Sequence, residues 1–112
     1  MNQQPPSGAL DGSDFLQYIR YEKRLSHHTV TAYAKDMEQF GTFLATECNV
    51  DQPEKADYRQ IRSWSVSLVE SGLDKTSVNR KIATLRSYYN FLLRRKVIPF
   101  DPMTKVQALK AS

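Results

Sequence analysis

Residues 75–96 read KTSVNRKIATLRSYYNFLLRRK, and this stretch decides the fold class. Val78, Ile82, Leu85, Tyr89 and Leu92 recur at spacings of three and four, which lays one apolar stripe along an α-helix. Asp74 stands where a side-chain oxygen can cap the first orphan amides. Arg94, Arg95 and Lys96 put cations at the negative end of the helix dipole, and Pro99 ends the segment. The same 22 residues hold seven Lys or Arg and no Asp or Glu.

The neighbouring segments repeat the helical pattern. Ser26 caps a helix expected near 27–47, with Val30, Tyr33, Ala34, Met37, Phe40, Gly41 and Leu44 on its inner side. Asp57 caps a third near 58–71, with Ile61, Trp64, Leu68 and Val69 inside and Gly72 at the left-handed position that follows. Ser13 caps a first helix near 14–24 that carries Phe15, Leu16 and Ile19. Asp101-Pro102 is a cap-plus-first-turn pair that would open a short fifth helix near 102–109. Residues 49–55, with Pro53, form a linker, and residues 1–12, with Pro5, Pro6, Ser7 and Gly8, a flexible leader. No strand-like alternation and no fixed-period repeat interrupts this. The expectation is an all-α, compact four- to five-helix bundle over 13–109.

Composition fits one such domain. A chain of 112 residues can bury a single core without disulfides, and 40% hydrophobic with 25% charged residues is ordinary folded usage. The formal net charge of +4 conceals a segregation. Residues 1–74 carry seven bases and eleven acids, net −4, whereas residues 75–112 carry nine bases and one acid, net +8. Such a distribution suits a polyanionic partner. No apolar run approaches the ~18 residues of a membrane span. The polar N-terminus lacks a secretory pattern, and the single Cys48 cannot form an internal disulfide, so a reducing, cytoplasmic setting is expected.

Chemistry other than binding finds little material. Cys48, His27 and His28 are the only soft ligands, so no metal or cofactor is expected. Cys48 reads as an inert, part-buried residue. There is no glycine-rich phosphate loop, no carboxylate pair at acid/base spacing and no Ser-His-Asp or Cys-His order, so no catalytic residue is assigned. The outer face of the second helix presents His28, Thr31, Ala32, Lys35, Gln39 and Thr42, with Lys35 its only charge. That of the fourth presents Thr76, Arg80, Ala83, Thr84, Ser87, Phe91 and Arg94, flanked by Asn79, Lys81 and Arg86. Small hydroxyl residues interleaved with Arg permit close approach to phosphates and base edges. A plain solvated surface and a protein-interaction module that meets an acidic partner are the competing readings. Phe15, Tyr33, Trp64, Tyr88 and Tyr89 sit at core spacing, while Phe91 projects outward toward a partner helix or second domain. Arg86 leans toward the apolar stripe, where it could pair internally with an acid.

Three stretches carry a resemblance. Phe15-Leu16-x-Tyr18-Ile19 and then Leu25-Ser26-x-x-Thr29-x-x-x-Tyr33-x-x-Asp36-Met37-x-x-Phe40-x-x-Phe43-Leu44 resemble the opening of Xer-type tyrosine recombinases. Lys75 to Leu92 looks like the family's Asn-Arg and Leu-Arg-containing helix, and Ile98-x-x-Asp101-Pro102 stands where the family has an Asn-Pro pair before its catalytic domain. The resemblance covers about residues 13–107 and implies the SAM-like, core-binding N-terminal domain of a phage-integrase-type recombinase. It implies one half of a C-shaped clamp on a recombination half-site of double-stranded DNA, with the second and fourth helices across the major groove. It also implies that the first helix meets other recombinase subunits in a tetrameric synapse, and that no membrane is involved. Taken with the outward faces, it marks His28, Thr29, Thr31, Lys35, Lys75, Thr76, Ser77, Asn79, Arg80, Lys81, Thr84, Arg86, Ser87 and Arg94 as DNA-binding. The family's chemistry resides in a C-terminal domain with a nucleophilic tyrosine, which these residues do not include. The fragment is therefore expected to bind DNA and cut nothing, as part of a strand-exchanging enzyme. The compact leader favours a Xer protein that resolves chromosome dimers at cell division; an integrase of a phage or conjugative transposon is the alternative.

Overall fold

Side-chain caps set where the helices begin. In the computed structural model, which describes residues 13–109, α1 (Ser13–Gln17) continues into a π-helical turn (Tyr18–Glu22). It is followed by α2 (His27–Glu47), a 3-10 turn (Pro53–Lys55), α3 (Tyr58–Glu70) and α4 (Lys75–Arg94). The Ser26, Asp57 and Asp74 side chains accept from the amides of Thr29, Gln60 and Ser77 at 3.2, 2.9 and 2.9 Å. Gln60 Oε1 returns the favour to the Asp57 amide at 3.0 Å, completing a capping box. Hydrogen bonds from the Ser77 side chain and backbone hold the Asp74 carboxyl below its ordinary pKa. Its contribution to stability is therefore present above the unfolded carboxylate range and is lost as pH falls through the lowered folded value. The leader read over 1–12 and the side chain of Ser13, read as a cap, lie outside the described residues.

Each helical segment ends the same way. Arg24, Asn49, Gly72 and Lys96 take positive φ of 57°, 57°, 95° and 61°. The next amide, of Leu25, Val50, Leu73 or Val97, then bonds back to a carbonyl five or six residues earlier, at 2.9–3.2 Å. This satisfies carbonyls that helix termination would orphan. Of the four residues, only Gly72 adopts this conformation without a Cβ penalty, as its place after α3 led one to expect.

α4 is the hub. Nine of its twenty residues are buried, spread over about half of its circumference. The expected stripe of Val78, Ile82, Leu85, Tyr89 and Leu92 lies wholly inside, and Tyr88 joins it. Phe15 of α1 sits among Tyr33, Tyr88 and Phe91 with ring centroids 6.1, 5.5 and 5.7 Å away. Phe40 on Trp64, at 4.9 Å, joins α2 to α3. The Tyr89 hydroxyl donates to the Pro53 carbonyl at 2.5 Å, which fastens the linker under α4, and burial pushes that phenol's pKa well up.

Four expectations are corrected here. Phe91 is buried rather than outward, because α1 covers a second side of α4 and brings Phe15 and Tyr18 onto its ring. The first helix is α-helical only to Gln17; the wider π turn then sets successive residues Tyr18 and Ile19 both against the core. Val69 stands 46% exposed at the edge of the α3 stripe. Residues 102–109 form no helix. Asp101 Oδ1 accepts from the Met103 amide at 2.8 Å, and its carbonyl accepts from Thr104 Oγ1 at 2.9 Å, so the expected cap closes a local turn instead. Met103 and Val106 anchor the following segment in the core, and α4 side chains take its backbone bonds.

Leu85 is fully buried at the centre of this packing. Leu85→Ala is expected to lower unfolding free energy by about 2–5 kcal/mol through the cavity it leaves, as read by urea denaturation. An unchanged midpoint would displace the register assigned to α4.

Candidate nucleic-acid interface

The outer faces of α2 and α4 meet at a buried carboxylate. Asp36 of α2 has no exposure, and three α4 side chains converge on it. Arg80 Nη2 and Lys81 Nζ reach Oδ1 at 2.7 and 2.8 Å, and Thr84 Oγ1 donates to Oδ2 at 2.7 Å. Lys81 also donates to Gln39 Oε1 at 2.6 Å. Two cations thus share one carboxylate, so the cluster carries a net positive charge. Lys81 is buried with it, whereas the Arg80 side chain is 48% exposed. One guanidinium nitrogen of Arg80 is committed inward; the fork's other N–H groups stand at the surface, held in direction by the buried bond.

The cluster divides the sequence-derived set. Thr84 and Lys81 face Asp36 and are withdrawn from any partner, contrary to expectation, because an acid on α2 meets them. Arg86 donates to the Val106 carbonyl, a backbone partner where an acid was envisaged. Asn79 is bonded both ways to Leu109, donating to its carbonyl at 3.0 Å and accepting from its amide at 2.7 Å. The Arg94 guanidinium donates to the Tyr18 hydroxyl and lies 5.5 Å from that ring's centre, bracing α4 against the π turn. Thr29 Oγ1 accepts from Ser26 Oγ at 3.0 Å within the α2 cap, and Ser77 serves the Asp74 cap. His28, Thr31, Lys35, Lys75 and Thr76 are exposed, and Ser87 is half-buried on the same side of α4 as Arg80.

Two residues escaped the sequence reading. Asn90 is exposed, seven residues on from Ala83 and fourteen from Thr76, so the three line up along the outer face of α4. That spacing was available as a signal. Asp36 was quoted only for resemblance; its signal was the excess of cations on α4, which a buried helix side can hold only against a carboxylate from elsewhere. Glu38 is exposed on α2, so Lys35 is not the only charge on that face. The exposed face of α4 stays free of acids.

Among the described residues no group of three His, Cys, Asp or Glu could hold a metal, and no helix is long and apolar enough to cross a membrane. Cys48 is half-buried, and its thiol pKa is raised by desolvation, then by Glu47 and Asp57.

Comparison with known proteins agrees with the helical architecture. The family model described as phage integrase, N-terminal SAM-like domain, matches residues 13–96. Proteins named tyrosine recombinase XerC are similar to the chain. That of Listeria innocua is 36% identical over 96 residues, covering 86% of this chain and 32% of its own. That of Bacillus subtilis is 34% identical, over 86% of this chain and 31% of its own. That of Oceanobacillus iheyensis is 37% identical over 98 residues, 88% of this chain and 32% of its own. The chain spans about a third of the length of these relatives. No solved structure gives a significant match.

Removing Asp36 would strand the Lys81 ammonium in a site with 8% side-chain exposure. Asp36→Ala is expected to cost about 3–5 kcal/mol in urea denaturation, and combining it with Lys81→Met should recover part of that loss. Simple additivity of the two substitutions would show that Lys81 does not depend on Asp36.

Proposed function

The chain belongs to the phage-integrase N-terminal SAM-like family, and from that footing we propose that it grips double-stranded DNA at a recombination half-site with the adjoining outer faces of α2 and α4. The observation that carries this reading is the acid-free outer face of α4, bordered on its α2 side by an arginine that a buried carboxylate aims outward. Lys35, Thr31 and His28 extend the surface on α2; Thr76, Ala83, Ser87 and Asn90 give α4 a low, hydrogen-bonding profile beside Arg80. Low relief matters because a helix enters a major groove only if its contacting side chains are short or point along the groove. Arg80 serves as the phosphate or guanine fork, and the small polar residues set how closely the backbone can approach.

The relatives' shared name supports placing the domain in a tyrosine recombinase of the Xer type that acts on DNA in the cytoplasm. In that reading the whole protein exchanges DNA strands as a tetramer with other recombinase subunits, and chromosome-dimer resolution is its task. An integrase of a mobile element would use the same surface.

Duplex binding tests this directly. Fluorescence anisotropy with a labelled duplex should show affinity that falls linearly on log–log axes with salt, with a slope of about −0.9 per phosphate neutralised. Ala83→Glu places a carboxylate in the middle of the exposed face and should weaken binding at least tenfold while leaving the thermal midpoint within a few degrees. Absence of duplex affinity at low salt would sink the reading and favour an acidic protein partner instead.

A further inference from the structure

The two residues that α4 devotes to the C-terminal segment build something on its other flank. Around α4, Arg80 faces the α2 seam, while Asn79 and Arg86 lie about 100–120° away from it at 100° per residue. Both bind the segment's backbone, at Leu109 and Val106. The segment therefore runs beside the exposed face of α4, on the side opposite α2. Val106, 6% exposed, pins it. Against it on the far side lies α3, and a cleft of about 360 Å3 opens between the two.

The lining of that cleft is one-signed. Arg62 of α3 and Lys105 of the segment face it, with Tyr58, Ser65 and Gln107, and no carboxylate is among the lining residues. Arg62 and Lys105 are both exposed, and neither has an ion pair among the described residues. Lys105 also borders the neighbouring cleft that Glu54, Asp57 and Asp101 line, but it makes no ion pair there among the described residues, so its ammonium is available to an anion beside Arg62. Ser65 spends its proton on the Arg62 carbonyl at 2.8 Å, so the donors left for an anion are the guanidinium, the ammonium, the phenol and the amide of Gln107.

We infer that the cleft between α3 and the 104–109 segment is a second phosphate-binding site, at which Arg62 and Lys105 hold the phosphodiester backbone of the duplex that lies on α2 and α4. The inference rests on the DNA-binding reading and extends its footprint across the molecule: α2, the exposed face of α4, the fastened segment, then α3. It also gives Asn79 and Arg86 a role. They are positioning residues that fix the segment, and through it Lys105, rather than contacts to DNA. Backbone phosphates are the occupant because the donors are flexible point and fork charges set off the groove-reading face of α4 by the segment itself. Contacts of that kind do not depend on sequence, so a duplex of arbitrary sequence is the right probe.

Anisotropy over a salt series, with the whole 112-residue chain, separates the possibilities. Arg62→Ala and Lys105→Ala should each weaken duplex binding several-fold at low salt and reduce the log–log slope by about 0.9, without moving the thermal midpoint. Asn79→Ala should weaken binding too, but its effect should largely vanish in a Lys105→Ala background, since both act through one contact. Unchanged affinity and slope in Arg62→Ala and Lys105→Ala overturn the second site, even where Ala83→Glu still weakens binding at least tenfold through α4. Full additivity of Asn79→Ala with Lys105→Ala overturns the positioning role and returns Asn79 to the duplex. If the wild-type chain has no duplex affinity, both the second site and the reading beneath it fall.

Discussion

Asp36 is the constraint around which the packing of α2 on α4 is arranged. A carboxylate without exposure is costly unless its lone pairs are filled, and here two cations and a hydroxyl from α4 fill them. The consequence is geometric as much as energetic. Sequence-adjacent Arg80 and Lys81 point about 100° apart on α4, yet both reach one oxygen because α2 crosses just there. α2 cannot slide or rotate on α4 without stranding one of three partners. The rotational setting of the two outer faces, which any shared partner must read together, is therefore fixed from within. Buried ionic groups can contribute more to uniqueness of packing than to stability, and on the proposed reading, in which two helices meet one ligand, the domain has use for that uniqueness.

Much of the architecture was legible because helices announce themselves locally. Ser26, Asp57 and Asp74 cap the helices they were expected to open, and the stripe from Val78 to Leu92 is buried throughout. The misreadings on α4 share a cause: a single-stripe view of that helix. A helix covered by α2, α3 and α1 in turn has more than one inner side, so Phe91 and Thr84, outward on a one-sided projection, are inside. The charged positions followed the same logic. Lys81 was legible as a cation but not as a buried one, since its partner lies 45 residues away on α2 and no local period encodes that distance. The 102–109 segment failed for the opposite reason. Its cap signal was genuine, but Asp101 satisfies the Met103 amide in a turn as well as it would a helix, and tertiary partners in Asn79 and Arg86 decide between them.

The seven cations of residues 75–96 were the plainest functional clue, and the structure redistributes them. Arg80 and Lys81 belong to Asp36, Arg86 to the C-terminal segment, Arg94 to Tyr18, and Arg95 lies over Phe91 at 4.6 Å with Glu22 at 4.0 Å. Most of the charge thus has a structural engagement as well. That does not cancel the positive potential, because carbonyls, hydroxyls and rings are neutral partners, and of the partners just named Asp36 and Glu22 alone are acidic. Neutral anchoring leaves each guanidinium's charge in place while removing its rotational freedom. A surface of this kind loses less side-chain entropy when it meets phosphates than one of free lysines would.

On the proposed DNA-binding reading, specificity and affinity separate by element. The exposed face of α4, with Thr76, Ala83, Ser87 and Asn90, carries side chains short enough to approach base edges, whereas the cations beside it sit at its margins: Arg80 toward α2 and Arg94 at the helix end. Charge at the rim and small polar groups at the centre match what a duplex groove offers, with phosphates along its walls and bases on its floor. In the proposed second site Lys105 continues the rim toward Arg62 of α3, and it does so because two α4 side chains hold the chain's return path in place. The helix proposed to supply the reading face thereby also sets where the charges beside it stand, so on that reading a change in α4 register would alter groove contact and backbone contact together.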